Sequence, residues 1–130
     1  MRYLVCLIVG LVIGAIAAST AVNAIARREA WPRSVMNVMQ HELVGARAAA
    51  RTQQCALPAV RTASAHLQLL AGDIEPAQLT PGTKDRVFSQ YASDLRDRLA
   101  KWDAGADCAH QGAALTAVAN ACETCHRDYR

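Results

Sequence analysis

Two cysteines and a histidine form the pattern Cys122-x-x-Cys125-His126 within the stretch ACETCHRDYR. Covalent attachment of a haem needs two thiols close enough to reach both of its vinyl groups. A histidine directly after the second cysteine then brings its imidazole under the iron. On a helix these residues stand at i, i+3 and i+4, so they share one side. The spacing therefore predicts one covalently bound haem c, with His126 as its proximal iron ligand.

Two other chemistries use paired cysteines at this spacing. Cys122 and Cys125 by themselves also suit a redox-active thiol pair, or a metal site shared with histidines elsewhere in the chain. The adjoining His126 and the export-type leader described next favour haem over both. We interpret His66 and His110 as ordinary polar residues, because the helical spacing places them far from the motif.

The first 26 residues form an apolar leader, which we separate from a haem domain at residues 27–130. Tyr3–Ala18 fits the hydrophobic region of a secretory signal, and Ala24-Ile25-Ala26 offers a cleavage site. The same stretch also suffices to span a bilayer, which takes roughly 20 apolar residues. The arginines that follow it disfavour an anchor with its N-terminus inside, so cleavage is mildly favoured. Both alternatives predict a periplasmic location, either soluble or tethered to the inner membrane.

Composition and charge narrow the function classes. The 130 residues carry a net charge of +3, and aromatic residues make up only 5%. No basic patch indicates nucleic-acid binding. No nucleophile, general base or second metal cluster stands out, so the sequence does not predict an enzyme. Within the 52% of hydrophobic residues alanine dominates, which favours closely packed helices.

Four segments have helical length and an apolar stripe with steps of three and four residues. They run from about Pro32 to Gln54, Pro58 to Ala71, Lys84 to Trp102 and Ala106 to Tyr129, with a loop predicted over 72–83. No segment alternates with period two, so a sheet is unsupported. The pattern predicts an all-α fold, an antiparallel four-helix bundle preceded by the apolar leader. Cys122 and His126 fall on the stripe of the fourth segment, which places the motif toward the bundle interior.

The ending ACETCHRDYR resembles that of the cytochrome c-prime family, in which the motif is followed by two residues, an aromatic and a basic residue. Tyr129 and Arg130 fill those two places, and WPRSVMNVMQ is similar to the family's first helix. The resemblance implies an exported four-helix bundle, redox partner proteins, homodimers, and a role for Arg130 near a propionate or the proximal side. The family's arginine after the leading aromatic is replaced by Pro32, with Arg33 one place later, so the resemblance does not carry over a propionate contact from that position.

The residue opposite His126 decides between two functions. In an antiparallel bundle the end of the fourth helix lies beside the start of the first, so Met36, Met39 and His41 are candidate ligands. The resemblance assigns the distal position to Met36, although methionines on a stripe also serve as core residues. A His126/Met36 pair predicts an electron carrier. Without a distal ligand, the iron would bind small gases such as nitric oxide or carbon monoxide.

The two remaining cysteines outside the leader, Cys55 and Cys108, suit a disulfide in an oxidising compartment. Cys55 follows Met36 by 19 residues, and Cys108 precedes His126 by 18. If Met36 and His126 meet across a haem, both cysteines arrive at the same height, roughly 27–29 Å along their helices. A bond there would stabilise the fold by roughly 3–4 kcal/mol. Two unrelated buried thiols are the alternative, and Cys6 is interpreted as a plain apolar side chain of the leader.

Overall fold

The computed structural model of this protein describes residues 2–129, except for the side chains of Arg2, Leu4, Val5 and residues 25–29. Its helices are α1 (Arg2–Arg51), α2 (Pro58–Gln78), α3 (Arg86–Ala100) and α4 (Cys108–Asp128), and the described part contains no strand. The all-α prediction is confirmed. Contacts divide the chain into two compact units, with the division between Arg33 and Ser34. The predicted domain division after Ala26 stays a prediction.

The N-terminal unit contains the apolar helix that the sequence predicts. Within it, Cys6–Ala24 is a stretch of 19 residues with a mean hydropathy of 2.1 and no buried share. The hydroxyls of Ser19 and Thr20 donate to the carbonyls of Ile16 and Ala17, both at 2.9 Å, so the polar side chains are satisfied within their own helix. By length and composition this helix fits either a signal sequence or a membrane anchor.

The second unit is a helical bundle built from α1 beyond Ser34 together with α2, α3 and α4. Each helix presents one apolar face to a common core. The largest fully buried apolar side chains are Leu67 of α2, Leu99 of α3, and Leu115 and Val118 of α4. Alanines fill the gaps between them and permit close approach of the helices. The buried alanines are Ala46, Ala50, Ala63, Ala71, Ala92 and Ala119.

Local sequence signals set where three of the helices begin. Asp85 precedes α3 and its side chain accepts hydrogen bonds from the backbone N–H groups of Val87 and Phe88, both at 3.0 Å. Asp107 caps α4 in the same way through the N–H of His110. Pro58 opens α2, where its missing N–H costs nothing. These caps satisfy donors that a helix leaves unpaired at its start.

Two proline positions differ from the prediction. The predicted second helix ends near Ala71, followed by a loop over 72–83, but α2 extends to Gln78 and contains Pro76. Burial of Ile74 in the core outweighs the missing proline donor, and Leu79 N–H still bonds the Glu75 carbonyl at 2.9 Å. Likewise α1 does not begin at Pro32 but contains it. The fixed φ of proline is compatible with helix, and only one backbone bond is lost.

Two cysteines, one in the connection after α1 and one at the start of α4, lie at disulfide distance. The Sγ atoms of Cys55 and Cys108 are 2.12 Å apart and their Cα atoms 5.5 Å apart. The predicted proximity of these two cysteines is therefore seen. At the other end, Met36 of α1 and His126 of α4 line the same cavity.

Candidate haem site

The predicted attachment motif occupies the last two turns of α4. Cys122 and Cys125 are half-buried and His126 is exposed, and all three line one cavity inside the bundle. The helical spacing that the sequence predicts is what brings both sulfurs and the imidazole to the same side. Neither Cys122 nor Cys125 is in a disulfide.

Helix α1 supplies the other wall of that cavity. Met36 is half-buried and lines it together with Met39, Gln40 and Leu43. Met39 is 6% exposed and belongs to the core. His41 is exposed and lines neither this cavity nor the one that adjoins the motif on its outer side. Of the three predicted distal candidates, Met36 and Met39 therefore share a space with His126.

Two cavities meet the motif, and three residues belong to both of them. The inner cavity, of about 50 Å³, is walled by apolar residues of all four helices. The outer one, of about 330 Å³, is lined additionally by residues at the end of α2, at the start of α3 and directly after α4. Met36, Cys125 and His126 line both. The outer volume falls in the roughly 300–1,000 Å³ range of small-molecule sites.

These residues fit a covalently bound haem by their chemistry. Two thiols at thioether spacing, an adjoining imidazole and a facing thioether sulfur all converge on one space. The remaining inner wall is largely hydrophobic, as a macrocycle requires. It includes Leu43, Leu67, Ile74, Leu95 and Val118.

Burial changes the titration of the two motif cysteines. It raises the pKa of the Cys122 thiol, and the neighbouring Cys125 raises it further. Burial also raises the pKa of Cys125, with a smaller contribution from Asp128. Reactive cysteines in thiol-redox motifs have lowered pKa values, because the thiolate is the nucleophile. This pair therefore lacks the lowered thiol pKa that is typical of thiol-redox motifs.

Two tyrosine hydroxyls form hydrogen bonds between α3 and the end of α4. Tyr91 donates a hydrogen bond to Oδ2 of Asp128 at 2.6 Å, and Tyr129 donates to Oδ2 of Asp85 at 2.8 Å. The bond to Asp85 raises the pKa of Tyr129 to about 12, and the bond to Asp128 raises that of Tyr91. The N–H of Phe88 and the Tyr129 hydroxyl lower the pKa of Asp85. Both phenols thus remain protonated donors at neutral pH.

The sequence did not single out these pairs. The sequence predicts Tyr129 only as the aromatic of the ending ACETCHRDYR, and it predicts no role for Tyr91, Asp85 or Asp128. The partners are 37 and 44 residues apart along the chain, so no local pattern connects them. A capping signal was available for Asp85, an aspartate directly before a helical stripe.

The other predicted residues lie away from the motif or outside the described residues. Arg130, predicted near a propionate, lies outside the described residues. His66 pairs with Glu42 at 2.8 Å and His110 with Asp107 at 2.6 Å, so both histidines have surface carboxylate partners. Among residues 2–129 with described side chains, no three His, Cys, Asp or Glu residues are gathered to hold a metal ion.

No protein-family model, curated protein or solved structure matches this chain. The resemblance to the cytochrome c-prime family consequently rests on the motif, the first helix and the helix order.

Proposed function

We propose that this chain is an exported mono-haem c-type cytochrome that carries electrons between redox partner proteins. One observation carries the proposal: Cys122, Cys125 and His126 line an apolar cavity whose opposite wall includes Met36. The sequence spacing predicts the first three as a unit, and the fold brings the fourth to them from another helix. No other set of described residues combines thiols, an imidazole and a thioether around one cavity.

Each residue has a distinct role in this proposal. Cys122 and Cys125 would hold the group through thioether bonds, His126 would ligate iron on the proximal side, and Met36 would ligate it on the distal side. When bound, haem supplies a one-electron Fe(III)/Fe(II) couple. A His126/Met36 pair would favour the reduced state of that couple. The apolar wall excludes water and so limits rearrangement of the surroundings when charge changes.

The apolar N-terminal helix supports export. Whether it acts as a signal or as an anchor, the domain after it would reach an oxidising compartment such as the periplasm, either free or tethered to the inner membrane. The Cys55–Cys108 pair at disulfide distance is consistent with such a compartment. Covalent haem attachment would then take place after translocation.

The direct test is to express the full chain, leader included, in a bacterial host with a haem-attachment system. We expect coloured protein in the periplasmic or membrane fraction, whose haem stays with the polypeptide under denaturing electrophoresis. A pyridine haemochrome spectrum should show one haem c per chain. Colourless protein from cells that mature a control cytochrome would contradict the proposal.

Replacing Met36 with alanine tests the distal ligand. We expect the reduced parent protein to show a sharp low-spin α band, and Met36→Ala to become high-spin while keeping its covalent haem. Met39→Ala serves as the matched control, because Met39 lines the same inner cavity but not the outer one. An unchanged low-spin spectrum in Met36→Ala would assign the ligand to another residue.

The second candidate function is a five-coordinate haem protein that binds nitric oxide or carbon monoxide. The apolar walls of the inner cavity favour it, since non-polar surroundings suit a diatomic gas better than a polar substrate. The same reduced spectrum separates the two candidates. A high-spin parent that binds carbon monoxide rapidly would replace electron transfer with gas binding.

A further inference from the structure

Two tyrosine–aspartate hydrogen bonds cross between α3 and the end of α4. The hydroxyl of Tyr91 on α3 donates to Asp128 of α4 at 2.6 Å. The hydroxyl of Tyr129, just after α4, donates to Asp85 at the start of α3 at 2.8 Å. Each element thus supplies one donor and one acceptor. The crossed tie, as we call these two bonds, fixes both the separation and the relative rotation of the two helix ends.

The crossed tie reaches the backbone of the motif directly. The N–H of Tyr129 donates to the carbonyl of Cys125 at 3.0 Å and closes the last turn of α4. The ring of Tyr129 meets the buried Phe88 edge to face, with centroids 5.1 Å apart. Asp85 is itself held in place as the cap of α3. A continuous set of contacts therefore runs from the start of α3 to Cys125.

Both tyrosines of the crossed tie line cavities that His126 also lines. Tyr129 follows His126 by three residues and lies directly after the last residue of α4. Tyr91 lines the inner cavity with His126, and Tyr129 lines the outer cavity with it. The last turn of a helix lacks onward backbone bonds and frays unless other contacts hold it. Without the two ties, the turn that carries His126 would be free to rotate relative to both cavities.

We propose that the crossed tie positions the His126 imidazole toward the haem iron, which makes Tyr91 and Tyr129 positioning residues. This inference rests on the proposed haem function. A merely structural tie would change stability alone. A positioning tie changes the electronic environment of the iron as well, because the orientation of the axial imidazole sets the ligand field.

The test compares two variants of the full-length, haem-bearing chain. Tyr91→Phe/Tyr129→Phe keeps both rings and removes both hydroxyls. Gln68→Met is the control, because it removes an α2–α3 hydrogen bond to the Leu99 carbonyl near the opposite end of α3. Electron paramagnetic resonance of the oxidised protein measures the iron, and hydrogen exchange measures the backbone of 125–129.

We expect the double tyrosine variant to keep its haem and helical content but to show broadened or multiple g values. Its amides in the last turn of α4 should exchange about tenfold faster. The control should match the parent in both measurements. Asp128→Asn, which keeps an acceptor for Tyr91, should retain the parental resonance signals.

Three results would overturn the inference. Parental g values in the haem-bearing double tyrosine variant would show that the tie does not act on the iron. The same change in Gln68→Met would show that any loosening of the bundle suffices. A parent chain that matures without haem would overturn the proposed function together with this inference, so the two failures are distinguishable.

Discussion

The two ends of the bundle use cysteine pairs in opposite ways. Cys55, in the connection between α1 and α2, and Cys108, the first residue of α4, lie at disulfide distance at one end. Cys122 and Cys125 come from a single helix, three residues apart, and line a cavity at the other end. Cys122 and Cys125 are one turn apart on a single helix, so both face the same cavity. Cys55 and Cys108 lie on separate segments, and packing of the bundle brings their thiols together. Cysteine side chains therefore cross-link the chain at one end of the bundle and line a cavity at the other end.

The largest expected effect comes from removing Cys122 and Cys125, the cysteines that line the cavity. Cys122→Ala/Cys125→Ala should abolish covalent haem attachment, because both thioether bonds are lost. The measurement is haem staining after denaturing electrophoresis of protein matured in the periplasm. The matched control is Cys55→Ala/Cys108→Ala, which should keep its haem. Equal loss of haem in both variants would contradict the division of roles between the two ends.

Removing Cys55 and Cys108 should instead lower the stability of the folded protein. We expect Cys55→Ala/Cys108→Ala to lower the free energy of unfolding by roughly 3–4 kcal/mol, since the bond closes a loop of 53 residues. Denaturant unfolding followed by circular dichroism measures the difference. Treating the parent with a reductant should reproduce most of it. A variant as stable as the parent would show that the bond adds little to this end.

Gln111 sharpens the comparison with a non-covalent contact at the disulfide end. It is 1% exposed, and its Nε2 donates to the carbonyls of Ala104 and Ala106 at 3.2 and 2.7 Å. Gln111→Ala would leave both carbonyls without this donor, so we expect a loss of about 1–3 kcal/mol in unfolding free energy. Gln90→Ala, on the exposed surface, is the control and should be nearly neutral. If Gln111→Ala were as stable as the parent, the contacts of Gln111 would add nothing to the stability that the disulfide gives this end.

The smallest expected effect is a change in how the unfolding free energy depends on pH, caused by Tyr129 beside the haem motif. The folded-state pKa of Tyr129 is raised to about 12, so the stabilising bond to Asp85 is present below the unfolded value of 10.0 and is lost as pH rises through 12. Tyr129→Phe should remove this alkaline loss. Unfolding curves between pH 9 and 12 measure it, with Tyr91→Phe as a partial control. The lowered pKa of Asp85 gives the opposite dependence, a loss as pH falls below 3.8.

The sequence patterns predicted some parts of the fold well and others poorly. Helices α3 and α4 begin within about two residues of their predicted starts, because Asp85 and Asp107 cap helices with clear apolar stripes. The end of α2 was missed, because Gly72 and Pro76 indicate a break locally. Burial of Ala71 and Ile74 against the core overrides that local preference. A local pattern carries no information on how much core a segment will meet.

The chemistry of the site divides in the same manner. The order Cys122, Cys125 and His126 by itself determined that two thiols and an imidazole share one side of a helix, because helical periodicity is a local property. Only the tertiary structure decided which α1 residues face them, and it places Met36 and Met39 there but not His41. Only the tertiary structure, too, paired Tyr91 with Asp128 and Tyr129 with Asp85. Contacts between helices depend on packing of the whole bundle, which no single stretch of sequence encodes.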